Sequence, residues 1–590
     1  MITEVFRVVT EQWRVIFGIL LFSALSQGLV IITLKRLYRD KLSSIEYFSL
    51  GLAGWMLPIF LISILWLLLG FTSSAALSRL VIPVSIFVLL AILFRLKLDP
   101  EPDSKKYIFF LLAFVLVSIL VRLVFASRAI FPSYFDSAQH YSIIKNILQH
   151  GSALSLASST YYHSGFHVLT AFLVTVLNAD AAKAMLILGQ MALALMPVSL
   201  FFLLRYITGS NIAGIFTVIL AAFGWYMPAH AVNWGKYPAL MSLALLPFVL
   251  SLAYLLTQNR VASARQHGWK YYIILGLSVV STILLHSRSL IILTVIFLAW
   301  VIATWLGGLS FRNRWLVFIA LLIALALGTL FIQKQAVFGP LFDPYLRKGF
   351  WITALILLLS VFALKEHSRV VFACLLSMAM LLGGLFLPIQ VPGYGSLTLL
   401  DRPLVEMILY LPLSLLGGLG LAGLENLLTN ASFWKLFRKG YILAFMMGLI
   451  VIHALVTYDF YPSDCCVLVG NDDREALAWM DTHLPGEAQI GISVTELNVL
   501  PSDALEGYSG GDAGIWITPL IERATVPLFF SSDFGQEDVR NLLCQSGVTH
   551  LYVGQLGRPF ELARLQEHPE WYKVLLSTEQ VKVYEVIGCG

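Results

Sequence analysis

Charge is what this sequence has least of. Of its 590 residues only 12% are Asp, Glu, Lys or Arg, while 58% are hydrophobic and the mean hydropathy is +0.83. A soluble globular domain carries roughly 25% charged residues, so that balance excludes a soluble class and points to a polytopic membrane protein. The formal net charge of +5 does not point to nucleic acid, because basic residues in such proteins mostly mark cytoplasmic loops. Cysteine is equally sparse. The five cysteines show no CxxC or Cys/His zinc spacing, and neither a metal finger nor a disulfide framework is suggested. The HEXXH pattern of zinc proteases is absent. No internal repeat is evident, which argues against the transporter folds built from duplicated halves.

What the chain has in abundance is long apolar runs. They occur near 13–34, 47–71, 76–95, 107–126, 183–204, 211–227, 237–257, 271–285, 289–308, 315–332, 350–364, 370–386, 404–428 and 441–458. At about 20 residues per crossing, this predicts about 12–14 transmembrane helices. The first run is too long for a signal-peptide core and reads as a retained span. Short basic clusters set the orientation: Lys35, Arg36, Arg39 and Lys41; Arg95, Lys97, Lys105 and Lys106; Arg260, Arg265 and Lys270; Arg312 and Arg314; Lys365 and Arg369; Lys435, Arg438 and Lys439. Placing all of them inside makes the spans alternate consistently.

That consistency requires one apolar run, GFHVLTAFLVTVLN (165–178), not to cross. It reads instead as a helix lying in the membrane interface. Residues 127–182 then form one extracytoplasmic loop with two short helices, about 137–150 and 165–178. The domain organisation expected is accessory spans over 1–106, a transmembrane core over 107–458, and a tail over 459–590. The tail has ordinary charge density, strand-like runs (AQIGISV, VTHLYVG, VKVYEVI) and a helical stretch, DDREALAWMDTHL. It reads as one small extracytoplasmic α/β domain.

Several polar clusters fall on the same side as that tail. Asp136 and His140 lie four apart in FPSYFDSAQHYSI, as do His163 and His167 in YYHSGFH, so each pair shares a helix face. The structural reading of Asp136 is a helix N-cap. The functional reading is a base or metal ligand, since a carboxylate at a membrane surface is costly to keep. Carboxylate and imidazole together suit a divalent metal (Mg, Mn or Zn), with Asp136, His140, His163 and His167 as the candidate ligands. Arg288 in LLHSRSL, beside His286, reads either as a snorkelling helix-end arginine or as a phosphate binder. Lys236 in NWGKYP carries the same two readings. Its neighbours Trp234 and Tyr237 are interfacial belt residues or substrate contacts. Arg402, next to Asp401, is a further cation on this side. In the tail, GGDAGIW offers Asp512 and Trp516, followed by Arg523; the structural reading is a glycine turn, a packing tryptophan and an Asp512–Arg523 pair.

FPSYFDSAQHYSI, VNWGKYPAL, LLHSRSL and GGDAGIWITPLIER together resemble a bacterial branch of the GT-C class of integral-membrane glycosyltransferases, over most of 107–590. The resemblance implies an enzyme of the plasma membrane that takes a sugar from a polyprenyl-phosphate donor and hands it to an extracytoplasmic acceptor. It implies that Asp136 is the catalytic base or coordinates a metal, with His140 beside it. Arg288, Lys236, Arg402 and His286 would hold the donor phosphate, and Trp234, Tyr237, His163 and His167 would contact substrate. The chain departs from the metal-dependent members in lacking a clear acidic pair in a second loop. Growing charge on a departing polyprenyl phosphate calls for cations, an acceptor hydroxyl for a positioned base, and single displacement for inversion. The partners implied are the lipid-linked donor and membrane lipids, with no nucleic acid. Two other readings fit the same residues. A transporter or flippase would place ionisable residues at mid-span, and a non-catalytic scaffold would keep the fold without the chemistry.

Overall fold

The computed structural model describes residues 2–38, 42–70, 75–95, 102–151, 163–258, 268–335, 343–391, 395–428, 441–496 and 508–589. Arg39, Lys41, Lys97, Arg260, Arg265, Lys435, Arg438 and Lys439 of the basic clusters lie outside these residues.

Each apolar run becomes helix. The first five helices are α1 (Ile2–Tyr38), α2 (Ser44–Ala53), α3 (Leu57–Leu68), α4 (Ala75–Arg95) and α5 (Pro102–Arg128). Next come α6 (Phe135–His150), α7 (Gly165–Leu177), α8 (Ala181–Leu195), α9 (Leu200–Thr208) and α10 (Asn211–Phe223). The bundle continues with α11 (Tyr237–Thr257), α12 (Gly268–Leu285), α13 (Ser289–Leu306), α14 (Phe311–Gln333), α15 (Phe350–Ala363) and α16 (Ser368–Gly383). A hairpin of β1 (Pro388–Val391) and β2 (Gly395–Thr398) precedes α17 (Arg402–Ile408), α18 (Tyr410–Leu428) and α19 (Tyr441–Thr457). Polar residues punctuate the apolar stretches by capping. Asp180, Ser210 and Asp401 each accept a backbone N–H of the helix that follows, which satisfies donors that otherwise lack a partner.

Among the described residues, seven helices are long and apolar enough to cross a membrane, or eight if the bent α2–α3 pair is one span. This is compatible with an integral membrane protein. The buried side chains form one continuous core from Val8 to Tyr458, and α1 packs on α2, α4 and α5. The first hundred residues therefore share the bundle's core. Helix α7, the run expected along the interface, is covered by protein on nearly every face, with Phe166, His167 and Phe172 at 0–1% exposure. Its apolarity is accounted for by packing against α3, α6 and α8, and no amphipathic face is left for a lipid surface.

The tail folds as a six-stranded mixed sheet: β3 (Gln489–Glu496), β4 (Tyr508–Gly510), β5 (Ala524–Phe529), β6 (His550–Val553), β7 (Tyr572–Ser577) and β8 (Lys582–Val586). Central β3 pairs parallel with β5 and β6 and antiparallel with β4, and β8 runs antiparallel between β6 and β7. Helix α20 (Asn471–His483) is the helical stretch expected from DDREALAWMDTHL. The cysteine reading needs correction. Cys544 and Cys589 form a disulfide across 45 residues. The pairing arises because the chain returns from β8 to lie beside the helix Glu537–Gln545, a tertiary event that linear spacing does not display.

The tail grips the bundle through α6. Trp516, fully buried, stacks on Phe131 at 4.9 Å and meets Tyr141 edge-on at 5.7 Å. Ala138 on α6 belongs to the same apolar cluster as Ile490, Ile517 and Tyr552 of the tail. Lys145 adds an ion pair with Glu522 at 2.8 Å. Trp516 therefore packs, as the structural reading had it, but the Asp512–Arg523 pair does not form. Buried Asp512 accepts from the N–H groups of Gly514 and Gly554, and burial pushes its carboxyl up to about 7. Arg523 instead donates to the carbonyls of Ile521, Asp481 and Leu484. Removing the buried indole with Trp516→Ala should cost about 3–5 kcal/mol. The expected outcome is a tail that proteases release from the bundle much faster, read by limited proteolysis; an unchanged cleavage rate would contradict this contact's role.

Candidate functional site

Helix α6 begins abruptly. Tyr134 sits at φ 68°, a backbone region that bulky residues rarely adopt, and its N–H donates to the Cys466 carbonyl at 2.9 Å. Tyr134, not Asp136, occupies the N-cap position, and Asp136 stands in the first turn without capping the helix. Its carboxylate reaches instead to Lys236, whose ammonium lies 2.5 Å from Oδ2. The helix N-terminus favours that negative charge as well. The two side chains are 13% and 32% exposed for Asp136 and Lys236, so the pair is sheltered but reachable.

The 229–236 segment delivers Lys236 through a glycine. Gly235 has φ +64°, and a Cβ there would lie 2.6 Å from Ser137 Oγ and 3.2 Å from Asp136 Cβ. Only a residue without a side chain lets this backbone approach the first turn of α6 so closely. The approach also makes a bond: the Gly235 carbonyl lies 3.0 Å from His140 Nε2. A carbonyl can only accept, so Nε2 carries the proton. In the neutral pair, His140 Nδ1 then accepts from His167 Nε2 at 3.1 Å. Both imidazoles are buried.

A second glycine builds the other half. A Cβ on Gly165 would lie 2.5 Å from the Leu284 carbonyl oxygen, so the start of α7 touches the end of α12. That contact sets His163 against His286, ring centroids 4.4 Å apart and edge to face. Next along the chain, Arg288 forms an ion pair with Asp401, whose other oxygen accepts from Leu404 N–H at 2.8 Å. Burial lowers His140 to about 3, with Lys236 and then His163 adding to the effect. Burial also lowers His163 to about 4, assisted by Arg288 and Lys236. His286 is held well below its ordinary value by burial, then by His163, Arg288, Lys236 and His140. Lys236 and Arg288 thus both act on His163 and His286. The two ion pairs and the neutral imidazoles influence one another electrostatically.

Not every candidate joins it. Arg402 turns to Glu406, at 3.9 Å. Tyr237 is fully buried and stacks on Phe166 at 5.7 Å, which makes it a support beneath the site. Trp234 packs edge-on against His230 at 4.8 Å. Among the described residues, Asp136, His140, His163 and His167 do not present metal-binding atoms gathered within 4.8 Å. The group that does is His230, Cys465 and Cys466. The lone pair a metal would need on His140 is already engaged by His167. Two contributors have no role assigned from sequence. Asp401 completes the Arg288 pair, and Asn233 accepts from Ser463 N–H at 2.7 Å, tying the loop to the start of the tail.

The chain belongs to a family of unknown function (DUF6541), whose model matches residues 42–397. The match includes Asp136, His140, His163, His167, Lys236, His286 and Arg288, and it begins within the N-terminal helices. No curated protein matches the chain.

Two outcomes are expected. Gly235→Ala should lose roughly 1–3 kcal/mol of stability, because the new methyl meets Ser137 in a left-handed backbone conformation; thermal unfolding checks this. The histidines set a pH window. In the unfolded chain they protonate near 6.5, but in the folded protein they resist until about 4 for His163 and about 3 for His140. Stability from keeping them neutral is therefore present above pH 6.5 and lost as pH falls toward 4. A melting temperature that drops over this window in wild type, and less in His163→Asn, is the expected result.

Proposed function

We propose that this protein is a membrane glycosyltransferase that moves a sugar from a polyprenyl-phosphate donor to an extracytoplasmic acceptor by inverting displacement. The observation that supports it most is the pairing of a sheltered carboxylate, Asp136, with a lysine that shares one electrostatic cluster with Arg288. In this reading about 12–14 helices cross the bilayer, with the shorter apolar helices other than α7 completing the long ones. An excess of basic residues in the opposite loops supports an outside position for the α6 end and the tail.

The chemistry follows from an exchange of partners. At rest, the Lys236 ammonium occupies the Asp136 carboxylate oxygen. A donor phosphate entering between Lys236 and Arg288 offers both cations a doubly acceptor-rich anion. Lys236 turns to it, and Asp136 is left free to take a proton from an acceptor hydroxyl. The acceptor oxygen then bonds to the anomeric carbon as the bond to the phosphate oxygen breaks. The departing phosphate keeps the electron pair, stabilised by the cations. Neutral His163 and His286 can donate to the same oxygens without carrying a proton away. His140 and His167 hold the Gly235 loop, and hence Lys236, in register with α6.

A second reading has one observation in its favour. With Asp136 already neutralised, the same ion pair would serve a non-catalytic scaffold as a purely structural clamp. The test is sugar transfer or donor hydrolysis by the purified full-length protein, given radiolabelled polyprenyl-phosphate hexoses and pentoses. Asp136→Asn should lower turnover by about 10²–10⁴-fold, and Lys236→Gln should chiefly weaken donor capture. A folded Asp136→Asn variant with full activity would remove the assignment. Wild type inert toward every donor would favour the scaffold.

A further inference from the structure

The far end of the bundle carries a second polar site. Helix α11 starts beside Lys236 and ends at Thr257. Its 21 residues put its far end about 30 Å from the ion pair. There, a cavity of about 460 Å³ opens between the ends of α9, α11 and α13 and the starts of α14 and α16. Tyr254 and Trp300, in edge-to-face contact at 5.8 Å, form part of its wall.

The polar lining is unbalanced toward donors. Arg314 spends one guanidinium nitrogen on Ser368 Oγ at 3.2 Å and the Lys365 carbonyl at 3.5 Å. Its Nε is buried with no hydrogen-bond partner among the described residues, and so is Nε2 of His367. Buried polar nitrogens left unpaired are rare; Arg314 Nε can only donate, and His367 Nε2 donates in one neutral tautomer. Arg369, whose stem lies over Gly307, lines the same cavity and makes no ion pair among the described residues. The first turn of the 16-residue α16 opens into it and adds partial positive charge. Among the described lining residues the one carboxylate, Glu366, is engaged by Asn426.

We propose that this cavity binds a phosphate-bearing group, held by Arg314, Arg369 and His367 and flanked by the Tyr254–Trp300 wall. A phosphate supplies several acceptor oxygens to this donor-rich lining, and two guanidinium groups suit it better than a lone ammonium would. The site lies among the basic loops, where phospholipid headgroups of one leaflet would reach it. A free phosphate compound offers the same chemistry. The site is independent of the sugar-transfer reading, since it shares no residue with the Asp136 cluster.

The test is native mass spectrometry of the delipidated full-length protein given phosphatidylglycerol or, as the phosphate-free control, diacylglycerol. Inorganic phosphate at millimolar concentration serves as competitor. Wild type should retain phosphatidylglycerol at least tenfold better than diacylglycerol, and Arg369→Glu should abolish most of that preference. Arg312→Glu, an exposed change outside the cavity lining, should leave it intact. Displacement by inorganic phosphate would assign the site to free phosphate compounds, and resistance would assign it to lipid. Equal retention by wild type and a normally melting Arg369→Glu variant would overturn the proposal, as would equal loss in Arg312→Glu.

Discussion

The ion pair between Asp136 and Lys236 is the constraint on which the site depends. A carboxylate sheltered from water between a bundle and a folded domain needs a cation close by, because removing one member of such a pair strands the other. Meeting that need brings together residues 100 positions apart. The left-handed Gly235 lets the lysine-bearing loop lie against α6, and its carbonyl fixes His140. His140 in turn engages His167 on α7. Each contact follows from keeping one charge satisfied.

The same helix couples the two halves of the molecule. One side of α6 buries Ile144 and Ile147 with the bundle, and Ala138 belongs to the apolar cluster of the tail. Asn233 and Tyr134 bind the segment leading into the tail at Ser463 and Cys466. Movement of the tail would therefore be felt at both members of the ion pair. A buried arginine reinforces this region: Arg122 on α5 bonds to the Tyr458 hydroxyl and the Ala222 carbonyl, and lies over the rings of Phe223 and Tyr458.

Much of this was legible in the amino-acid order, for local reasons. Apolar runs located the helices, most of them to within a few residues, although α1 begins at Ile2 and not near residue 13, and the four-residue spacing put Asp136 and His140 on one helix. Three of the tail's six strands, β3, β6 and β8, were visible as alternating runs. What was not legible depends on contacts between distant segments. No spacing rule links Arg288 to Asp401, 113 positions away, or Cys544 to Cys589. Helix α7 shows the limit most clearly. Its length argued against a crossing, but apolarity alone does not distinguish cover by lipid headgroups from cover by protein. The proline-containing turn before Asp136 suggests an N-cap there; the strained Tyr134 takes the cap two residues earlier and leaves the carboxylate to Lys236.

The most direct measurement of the central claim is a cryo-EM structure of the full-length protein with a polyprenyl phosphate bound. The account predicts phosphate density between Lys236 and Arg288, with the Lys236 ammonium drawn off Asp136 and the carboxylate open to the acceptor side. A lipid phosphate bound elsewhere, with the Asp136–Lys236 pair undisturbed, would contradict it.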